Sequence, residues 1–318
     1  MDGRRALIIG ASGQDGAYLA RLLLQKGYVV HGTSRDHEKA SLGNLTRLGI
    51  RDKVVMHSLS LNDFRSVLVT LQSVKPDEIY NLAGQTSVGL SFDAPVETFE
   101  SNSIGTLNLL ECIRLIRLPA RVFNAASSEC FGNLNEPADE TAPFQPRSPY
   151  ALSKATAYWM SANYRDAYGL HVATGILFNH ESPLRPARFV TQKIVSTARR
   201  IAQGSPERLS LGDVDISRDW GWAPEYVDVI WRIMQIDDPH DFVIATGQDH
   251  ALQDFVREVF ARFDLDWQQH VDINRNLFRP SEIRRSVGNP DKARRLLGWE
   301  PSVTFDRMID KLVAEELF

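Results

Sequence analysis

Short apolar runs recur through the first half of the chain at nearly regular spacing. They have the length of β-strands and contain few polar residues. Runs that are apolar along their whole length are typical of parallel strands whose two faces are both covered. We therefore predict strands over residues 6–9, 28–31, 54–56, 78–82, 121–124 and 171–178.

Between these runs the apolar residues repeat with the spacing of helices. Residues 17–26 place Leu19, Leu22 and Leu23 on one face, and Gly27 follows as a residue that can end a helix. Further helices are predicted over 98–114, with Ile104, Leu107 and Leu110 facing inward, and over 148–168 and 190–203.

The alternation of strands and helices predicts an α/β fold of the Rossmann type, in which right-handed crossovers build a doubly wound parallel sheet. After about residue 180 this alternation stops, and prolines and arginines cluster. We interpret the later part as a smaller C-terminal α/β lobe that binds substrate. The predicted sheet domain covers 1–178 with a returning segment at about 221–247, and the lobe covers 179–220 and 248–318.

Composition limits the classes of function that this fold can serve. The 318 residues carry 36 Lys and Arg against 40 Asp and Glu, and the net charge of −4 gives no basic field for nucleic acid or a membrane surface. The two cysteines, Cys112 and Cys130, are too few for a disulfide scaffold and lack metal-ligand spacing. No apolar run approaches the roughly 18 residues of a membrane span, and the patch at 6–9 is too short for a secretion signal. We expect a cytoplasmic enzyme that acts on a small molecule and uses no metal.

A glycine-rich loop follows the first predicted strand and opens the first helix. Gly10, Gly13 and Gly16 are spaced Gly-X-X-Gly-X-X-Gly, with Gln14 and Asp15 between the last two. Small residues let the backbone approach a pyrophosphate, and the N-terminus of a helix stabilises its charge. Such loops also occur for turn geometry alone, but the position between a strand and a helix favours dinucleotide binding.

The end of the second strand selects between NAD and NADP in folds of this kind. A carboxylate there bonds the ribose hydroxyls, whereas an arginine accommodates a 2′-phosphate. Thr33 stands where the acid would be and Arg35 lies two residues on, which favours NADP. Asp36 keeps NAD open, and a solvated surface charge is the alternative interpretation of Arg35.

Tyr150 and Lys154 lie four residues apart on a predicted helix, so that both side chains project from one face. The lysine cation favours the phenolate and is expected to lower the pKa of Tyr150 toward that of a useful acid or base. Ser127 and Glu129 follow a strand end, the place at which open α/β sheets bind ligands. The Tyr-X-X-X-Lys spacing is common by chance, and it gains weight from the glycine loop and the Ser-Ser-Glu sequence before it.

In this order, the three motifs resemble those of extended short-chain dehydrogenases/reductases that act on nucleotide sugars. Longer strings are similar to the GDP-mannose 4,6-dehydratase family and extend over essentially the whole chain. They are GQDGAYLA at 13–20, PRSPY at 146–150, GILFNHESP at 175–183, RDWG at 218–221, FVIATG at 242–247 and FRPSE at 278–282.

The resemblance implies an internal redox reaction on a hexose. A hydride leaves C4 for bound NADP, water is eliminated across C5 and C6, and the hydride returns to C6. Tyr150 is expected to take the O4 proton, Lys154 to keep Tyr150 ionisable and contact the nicotinamide ribose, and Ser127 to bond O4, where the family usually has Thr. Glu129 is expected to move the C5 proton to the departing C6 hydroxyl; a solvated carboxylate is the alternative interpretation.

Further site residues are implied by the same resemblance. The cofactor, NADP with NAD as the alternative, would contact Gly10, Gly13, Gln14, Asp15, Gly16, Arg35, Leu82, Ala83, Tyr150 and Lys154. A nucleotide-diphosphate hexose, GDP-mannose in this family, would contact Gln85, Ser87, Asn179, Lys193, Arg218, Arg279 and Glu282. For each cation a surface salt bridge is the alternative, and the polar residues at 85–87 could be turn formers. We therefore expect NADP to bind to the sheet domain and the nucleotide sugar to bind to the lobe. We also expect a homodimer or homotetramer.

The sequence departs from the family pattern at a few positions. Arg35 is followed by Asp36 where two arginines are usual. Pro186 and Arg188 replace a Gly and a Glu beside the expected nucleotide site, and Gln192 replaces an Arg. These departures bear on the choice of cofactor, on the nucleotide base and on subunit contacts.

Two other functions fit the same motifs. A nucleotide-sugar 4-ketoreductase or 4-epimerase also carries the Tyr–Lys pair, and an inactive dinucleotide sensor would keep the glycine loop. The strings FNHESP and GQDGAYLA favour dehydration, and the intact Tyr150, Lys154 and Glu129 argue against a sensor. His180, within FNHESP, is interpreted as a structural hydrogen-bonding residue rather than a metal ligand.

Overall fold

The computed structural model describes residues 3–318. Its strands are β1 (Arg5–Ile9), β2 (Val29–Ser34), β3 (Val55–Ser58), β4 (Glu78–Asn81), β5 (Arg121–Ser127), β6 (Val172–Leu177), β7 (Asn179–Glu181), β8 (Leu209–Leu211), β9 (Ser217–Trp222), β10 (Phe242–Ile244), β11 (Asp249–Ala251), β12 (Val271–Ile273) and β13 (Arg285–Ser286). Its helices are α1 (Gln14–Gln25), α2 (Gly43–Arg47), α3 (Phe64–Val74), α4 (Val88–Asp93), α5 (Pro95–Phe99), α6 (Gly105–Leu115), α7 (Pro149–Tyr168), α8 (Val190–Ala202), α9 (Ala223–Ile233), α10 (Leu252–Ala261), α11 (Trp267–His270), α12 (Asp291–Leu297) and α13 (Phe305–Val313).

Seven of these strands form one sheet in which every neighbouring pair is parallel, in the order β10-β6-β5-β4-β1-β2-β3. The chain runs outward from β1 through β2 and β3, then returns to the other side of β1 with β4. This reversal leaves a crevice at the carboxyl ends of β1 and β4, where open α/β sheets bind their ligands. The predicted Rossmann-type doubly wound parallel sheet is confirmed.

Both faces of this sheet are covered by helices. In β1, Ala6 and Ile8 pack in the cluster that includes α1 and α9, whereas Leu7 and Ile9 pack in the cluster that includes α3 and α6. All four side chains are buried. Burial on both faces explains why the strand is apolar at successive positions rather than at every second one.

The smaller lobe is built around β9, which pairs with β7, β11 and β13. Trp220, Phe255 and Phe260 are buried in a core that this strand shares with α8, α10 and α13. The chain enters the large sheet once more at β10, beside β6. The predicted smaller α/β lobe is therefore present, and the domain boundaries given above stay a prediction.

The helix predicted over 98–114 is interrupted. It consists of α5, a π turn over Glu100–Ile104 and α6 in succession. A π turn holds one residue more than an α turn and rotates the inward face about the axis. Leu110 is buried as predicted, but the inward position of Ile104 is wrong, since its side chain is 40% exposed. Across residues 3–318, every helix is too short or too polar to serve as a membrane span.

Candidate active site

The glycine loop forms a compact cradle between β1 and α1. Gly10 has a φ of +93°, which favours glycine, and its carbonyl accepts a hydrogen bond from the Gly13 N–H at 3.1 Å. A Cβ on Gly16 would lie 2.2 Å from the same carbonyl oxygen. The first turn of α1 therefore sits directly on the loop, and its N-terminal N–H groups open toward an approaching anion.

The Gln14 side chain ties this loop to the segment after β6. Its amide donates to the His180 carbonyl at 3.1 Å and to the Asp15 carboxylate at 3.0 Å, and accepts from the Ser182 hydroxyl at 2.8 Å. Gln14 is buried and its polar side-chain atoms are occupied by these bonds. The cofactor contact predicted for Gln14 stays a prediction.

The half-buried Asp15 pairs with the buried His180 beside the loop. The Asp15 Oδ2 lies 3.0 Å from the His180 Nε2, and the Nδ1 lies 2.7 Å from the Phe178 carbonyl. Burial would raise the pKa of Asp15, but the charge and hydrogen bonds of His180 outweigh it and lower the pKa to about 2. Burial lowers the pKa of His180, but the charge and hydrogen bond of Asp15 raise it by more. The pKa of His180 therefore lies above its usual value. His180 therefore acts as a hydrogen-bonding residue.

The predicted catalytic residues converge from three elements. Ser127 ends β5, Glu129 lies in the 3₁₀ turn that follows, and α7 presents Tyr150 and Lys154. The Ser127 Oγ accepts from the Glu129 N–H at 3.3 Å, and the Lys154 Nζ donates to the Ala125 carbonyl at 2.9 Å. The four predicted residues line one cavity of about 390 Å³.

The electrostatics of this cavity differ from the expectation for Tyr150. Burial raises the pKa of the Tyr150 phenol, against the lowering effect of a hydrogen bond with Ser127, so the predicted depression by Lys154 is wrong. The cavity encloses the phenol, and the Lys154 ammonium is directed at a backbone carbonyl. Burial lowers the pKa of Lys154 itself to about 8. Burial also raises the pKa of Glu129, although Arg218 and Arg279 oppose it.

Two arginines from the smaller lobe also line the cavity. The Glu282 Oε1 accepts from Arg218 at 2.9 Å and from Arg279 at 3.1 Å. Arg218 is 5% exposed and also donates to the Ile283 carbonyl at 2.8 Å. The Lys193 Nζ reaches the same cavity and donates to the Ser210 carbonyl at 2.6 Å. Two guanidinium groups are thus held together by one carboxylate.

The structure brings most of the predicted site residues into this cavity. The lining includes Asp15, Leu82, Ser87, Ser127, Glu129, Tyr150, Lys154, Asn179, Lys193, Arg218 and Arg279. The predicted residues outside the lining are Gly10, Gly13, Gln14, Gly16, Arg35, Ala83, Gln85 and Glu282. Gln85 donates to the Ser87 carbonyl at 2.8 Å and to the Thr98 hydroxyl at 3.1 Å, so its amide shapes the loop. The ligand contacts of all these residues stay predictions.

Arg185 lines the cavity but is absent from the predicted site. Its guanidinium lies 4.0 Å from the centre of the Phe189 ring and 3.4 Å from the Glu181 carboxylate. Its charge acts to lower the pKa of both Asp15 and Tyr150. The one sequence signal was its place in the proline- and arginine-rich segment directly after a strand.

No group of three or more His, Cys, Asp or Glu side chains within residues 3–318 could hold a metal ion. The cavity lining offers serine, carboxylate, phenol and cationic side chains. These groups suit proton transfer beside a bound anion.

Known proteins are similar to this chain in sequence and in fold. The family model for GDP-mannose 4,6 dehydratase matches residues 7–312. The chain is 42% identical to GDP-mannose 4,6 dehydratase 1 of Arabidopsis thaliana, over 98% of this chain and 89% of that protein. It is 40% identical to the GDP-mannose 4,6-dehydratase of Vibrio cholerae, over 99% and 94%. The solved structure of Thermus thermophilus UDP-glucose 4-epimerase with NAD has a TM-score of 0.85 at 26% identity, covering 98% of both chains. This chain therefore belongs to the GDP-mannose 4,6-dehydratase family.

Proposed function

We propose that this protein is a hydro-lyase that converts GDP-mannose to GDP-4-keto-6-deoxymannose by an internal redox reaction. The observation that carries the proposal is the arrangement of the cavity. Ser127, Glu129 and Tyr150 reach it from elements of the large-sheet domain, and Arg218 and Arg279 reach it from the smaller lobe, close enough to Glu129 to lower its pKa. A hexose could face the proton-transfer groups while the diphosphate attached to it faces the arginines.

The residues at the glycine loop fit a dinucleotide, which we propose to be NADP. The close approach of Gly16 to Gly10 leaves a surface of backbone at the start of α1, where a pyrophosphate can come near. The cavity begins beside this loop, at Asp15 and Leu82, and continues to Lys154. When bound there, the nicotinamide ring supplies a temporary store for the hydride that leaves C4 and returns to C6.

Tyr150 and Ser127 are proposed to act on the C4 hydroxyl. Oxidation at C4 requires a group that removes the O4 proton, and Tyr150 is a phenol on the cavity wall. Burial raises the pKa of this phenol, and the Ser127 hydroxyl opposes the rise. Ser127 itself can donate a hydrogen bond to O4 and fix its position.

Glu129 is proposed to carry out the elimination. A ketone at C4 makes the C5 proton removable by a positioned base, and a carboxylate whose pKa is raised is a stronger base than an exposed one. Once it holds the proton, the neutral carboxyl is favoured by the same burial. It can then give this proton to the C6 hydroxyl, which departs as water.

The test of this function is mass spectrometry of GDP-mannose after incubation with the protein and a catalytic amount of NADP. We expect the substrate mass to fall by one water, with no net formation of NADPH. Consumption of NADPH in proportion to a 4-keto-6-deoxy substrate, without dehydration of GDP-mannose, would indicate the 4-ketoreductase. An unchanged mass with inversion at C4 would indicate the epimerase.

The turn after β2 supports NADP over NAD. Asp36 directs its Oδ1 at the backbone N–H groups of Glu38 and Lys39, at 3.2 and 3.3 Å. One oxygen of the acid that kept NAD open is thus used within its own turn. Arg35, one residue earlier, is exposed at the end of β2, where a 2′-phosphate would lie.

Replacing Arg35 by alanine is expected to weaken NADP binding about 10- to 100-fold, because a hydrogen bond to a charged group contributes about 1.5–3 kcal/mol. NAD binding should be unchanged, since NAD lacks the 2′-phosphate. Fluorescence titration with both cofactors measures the two affinities. Arg51→Ala, at another exposed arginine of the same half of the chain, is the matched control and should bind both cofactors as the unaltered protein does. Equal loss of NADP and NAD affinity in Arg35→Ala would contradict this role.

Two further parts of the proposal rest on composition and on the family resemblance. We expect the protein to work in the cytoplasm. We also expect a homodimer or homotetramer. Light scattering would measure the mass of the particle, for comparison with the 35.8 kDa of one chain.

A further inference from the structure

Asp219 is a fully buried carboxylate beside the cavity but outside its lining. Its Oδ1 accepts from the Thr246 N–H at 2.9 Å and from the Thr246 hydroxyl at 2.7 Å. Its Oδ2 accepts from the Gly247 N–H at 2.9 Å and from the Gly288 N–H at 3.3 Å. Burial raises the pKa of Asp219 to about 6, so at neutral pH the side chain is ionised and accepts at both oxygens.

These bonds join three segments that are distant along the chain. Asp219 lies in β9, at the centre of the smaller lobe; Thr246 and Gly247 follow β10, the edge strand of the large sheet. Gly288 follows β13, which pairs with β9. The carboxylate is therefore placed where the lobe meets the large sheet.

The fit at this junction is close. A Cβ on Gly288 would lie 2.5 Å from the Ala245 Cβ and 2.7 Å from the Phe178 ring. The Gly288 backbone thus lies directly against residues that follow β10 and β6. There is no space for the segment to shift toward the large sheet, and Asp219 prevents it from moving away.

Arg218 projects from the other side of β9, because adjacent residues of a strand point to opposite faces. Its guanidinium is bonded to the Glu282 carboxylate and the Ile283 carbonyl, and Arg279 is bonded to the same carboxylate. Glu282 and Ile283, which hold the two arginines, lie a few residues before Gly288 in the chain. The bond from Gly288 to Asp219 therefore also fixes the segment that holds the arginines.

We propose that Asp219 is a positioning residue for the nucleotide sugar: its carboxylate fixes Arg218 and Arg279 at the distance from Glu129 and Tyr150 at which the diphosphate and the hexose bind together. Asp219 itself touches no substrate. The inference rests on the proposed function, in which the two arginines bind the diphosphate.

Asp219→Asn is the variant that tests this role. An amide keeps one acceptor for Thr246 but turns an NH₂ group toward the N–H groups of Gly247 and Gly288, so that two of the four bonds are lost. We expect the KM for GDP-mannose to rise about tenfold while kcat stays within about threefold, since ground-state and transition-state binding are reduced alike. The affinity for NADP should not change.

Asp241→Asn is the matched control, at another buried carboxylate. Asp241 accepts from Arg165 at 2.8 Å and from the Thr174 N–H at 3.0 Å, and it does not line the cavity. Asp241→Asn should lower the Tm of the protein without changing the KM for GDP-mannose. A lowered Tm with an unchanged KM in Asp219→Asn, or an equal rise of the KM in both variants, would show a purely structural role and overturn the inference.

A milder pair of variants decides the question if Asp219→Asn does not fold. Thr246→Val removes the hydroxyl bond to Asp219 and should raise the KM about threefold, whereas Thr246→Ser keeps the hydroxyl and should restore the original value. Identical KM values in this pair would also count against the inference. If the unaltered protein does not dehydrate GDP-mannose, the proposed function fails by itself. Calorimetric binding of GDP to the same variants then tests the arginine placement separately.

Discussion

Glu129→Gln is expected to lower the rate of dehydrated product formation about 10²- to 10⁴-fold, the range that a positioned general acid or base contributes. Glutamine has nearly the same size and can occupy the same place in the cavity wall. It cannot take the C5 proton, and it cannot deliver a proton to the C6 hydroxyl. The oxidation at C4 does not use Glu129, so a stoichiometric increase in absorbance from reduced cofactor should still be seen after mixing with GDP-mannose.

Glu140→Gln is the control for this variant. Burial also raises the pKa of Glu140, but its carboxylate lies outside the cavity and accepts from the Val243 N–H at 2.7 Å, which the glutamine oxygen can also do. The control should turn over at the normal rate. Full turnover by Glu129→Gln would exclude Glu129 as the acid–base group, and loss of the first absorbance change would show that it serves the oxidation as well.

The pH profile provides a second measurement on the same residue. Glu129 must be deprotonated to accept the C5 proton, and burial raises its pKa above 4.5. As the pH rises through that raised pKa, Glu129 loses its proton and becomes the base, so kcat/KM should increase over a pH range above 4.5. As the pH falls through the same range, kcat/KM should decrease. The small residual rate of Glu129→Gln should lack this limb.

The features that were predictable from sequence depend on short stretches of chain. The glycine loop is specified by three glycines within seven positions, and β1 is specified by four successive apolar residues. Tyr150 and Lys154 share a helix face because of their spacing alone. Ser127 and Glu129 could be placed because a parallel sheet brings its carboxyl strand ends to one edge.

The remaining features depend on contacts between distant segments. Asp15 meets His180 across 165 positions, and Glu282 meets Arg218 across 64. Glu282 was predicted to contact the substrate, but it bonds to two arginines and lies outside the cavity lining. This pairing follows from the packing of the smaller lobe. The direction of the Tyr150 pKa shift depends on how completely the cavity encloses the phenol, which no local pattern expresses.

Gly16→Ala is expected to weaken cofactor binding by about a hundredfold and to destabilise the fold by about 1–3 kcal/mol, a typical cost of overpacking. The added Cβ would lie 2.2 Å from the Gly10 carbonyl oxygen and 2.8 Å from the Ala11 Cα. Both atoms belong to the backbone, so no side chain can rotate to make room. The loop has to move away from α1, and the loss of about one hydrogen bond to the charged pyrophosphate accounts for the hundredfold effect.

Gly43→Ala separates this effect from that of any added methyl group. A Cβ at Gly43, the first residue of α2, would lie 3.5 Å from the Ser41 hydroxyl, an ordinary contact. Titration with NADP and thermal unfolding of both variants give the comparison, and Gly43→Ala should match the unaltered protein in both. Normal NADP affinity in Gly16→Ala would mean that the pyrophosphate does not lie against this turn. If both variants lost affinity equally, the close approach of Gly16 to Gly10 would not be what the cofactor requires.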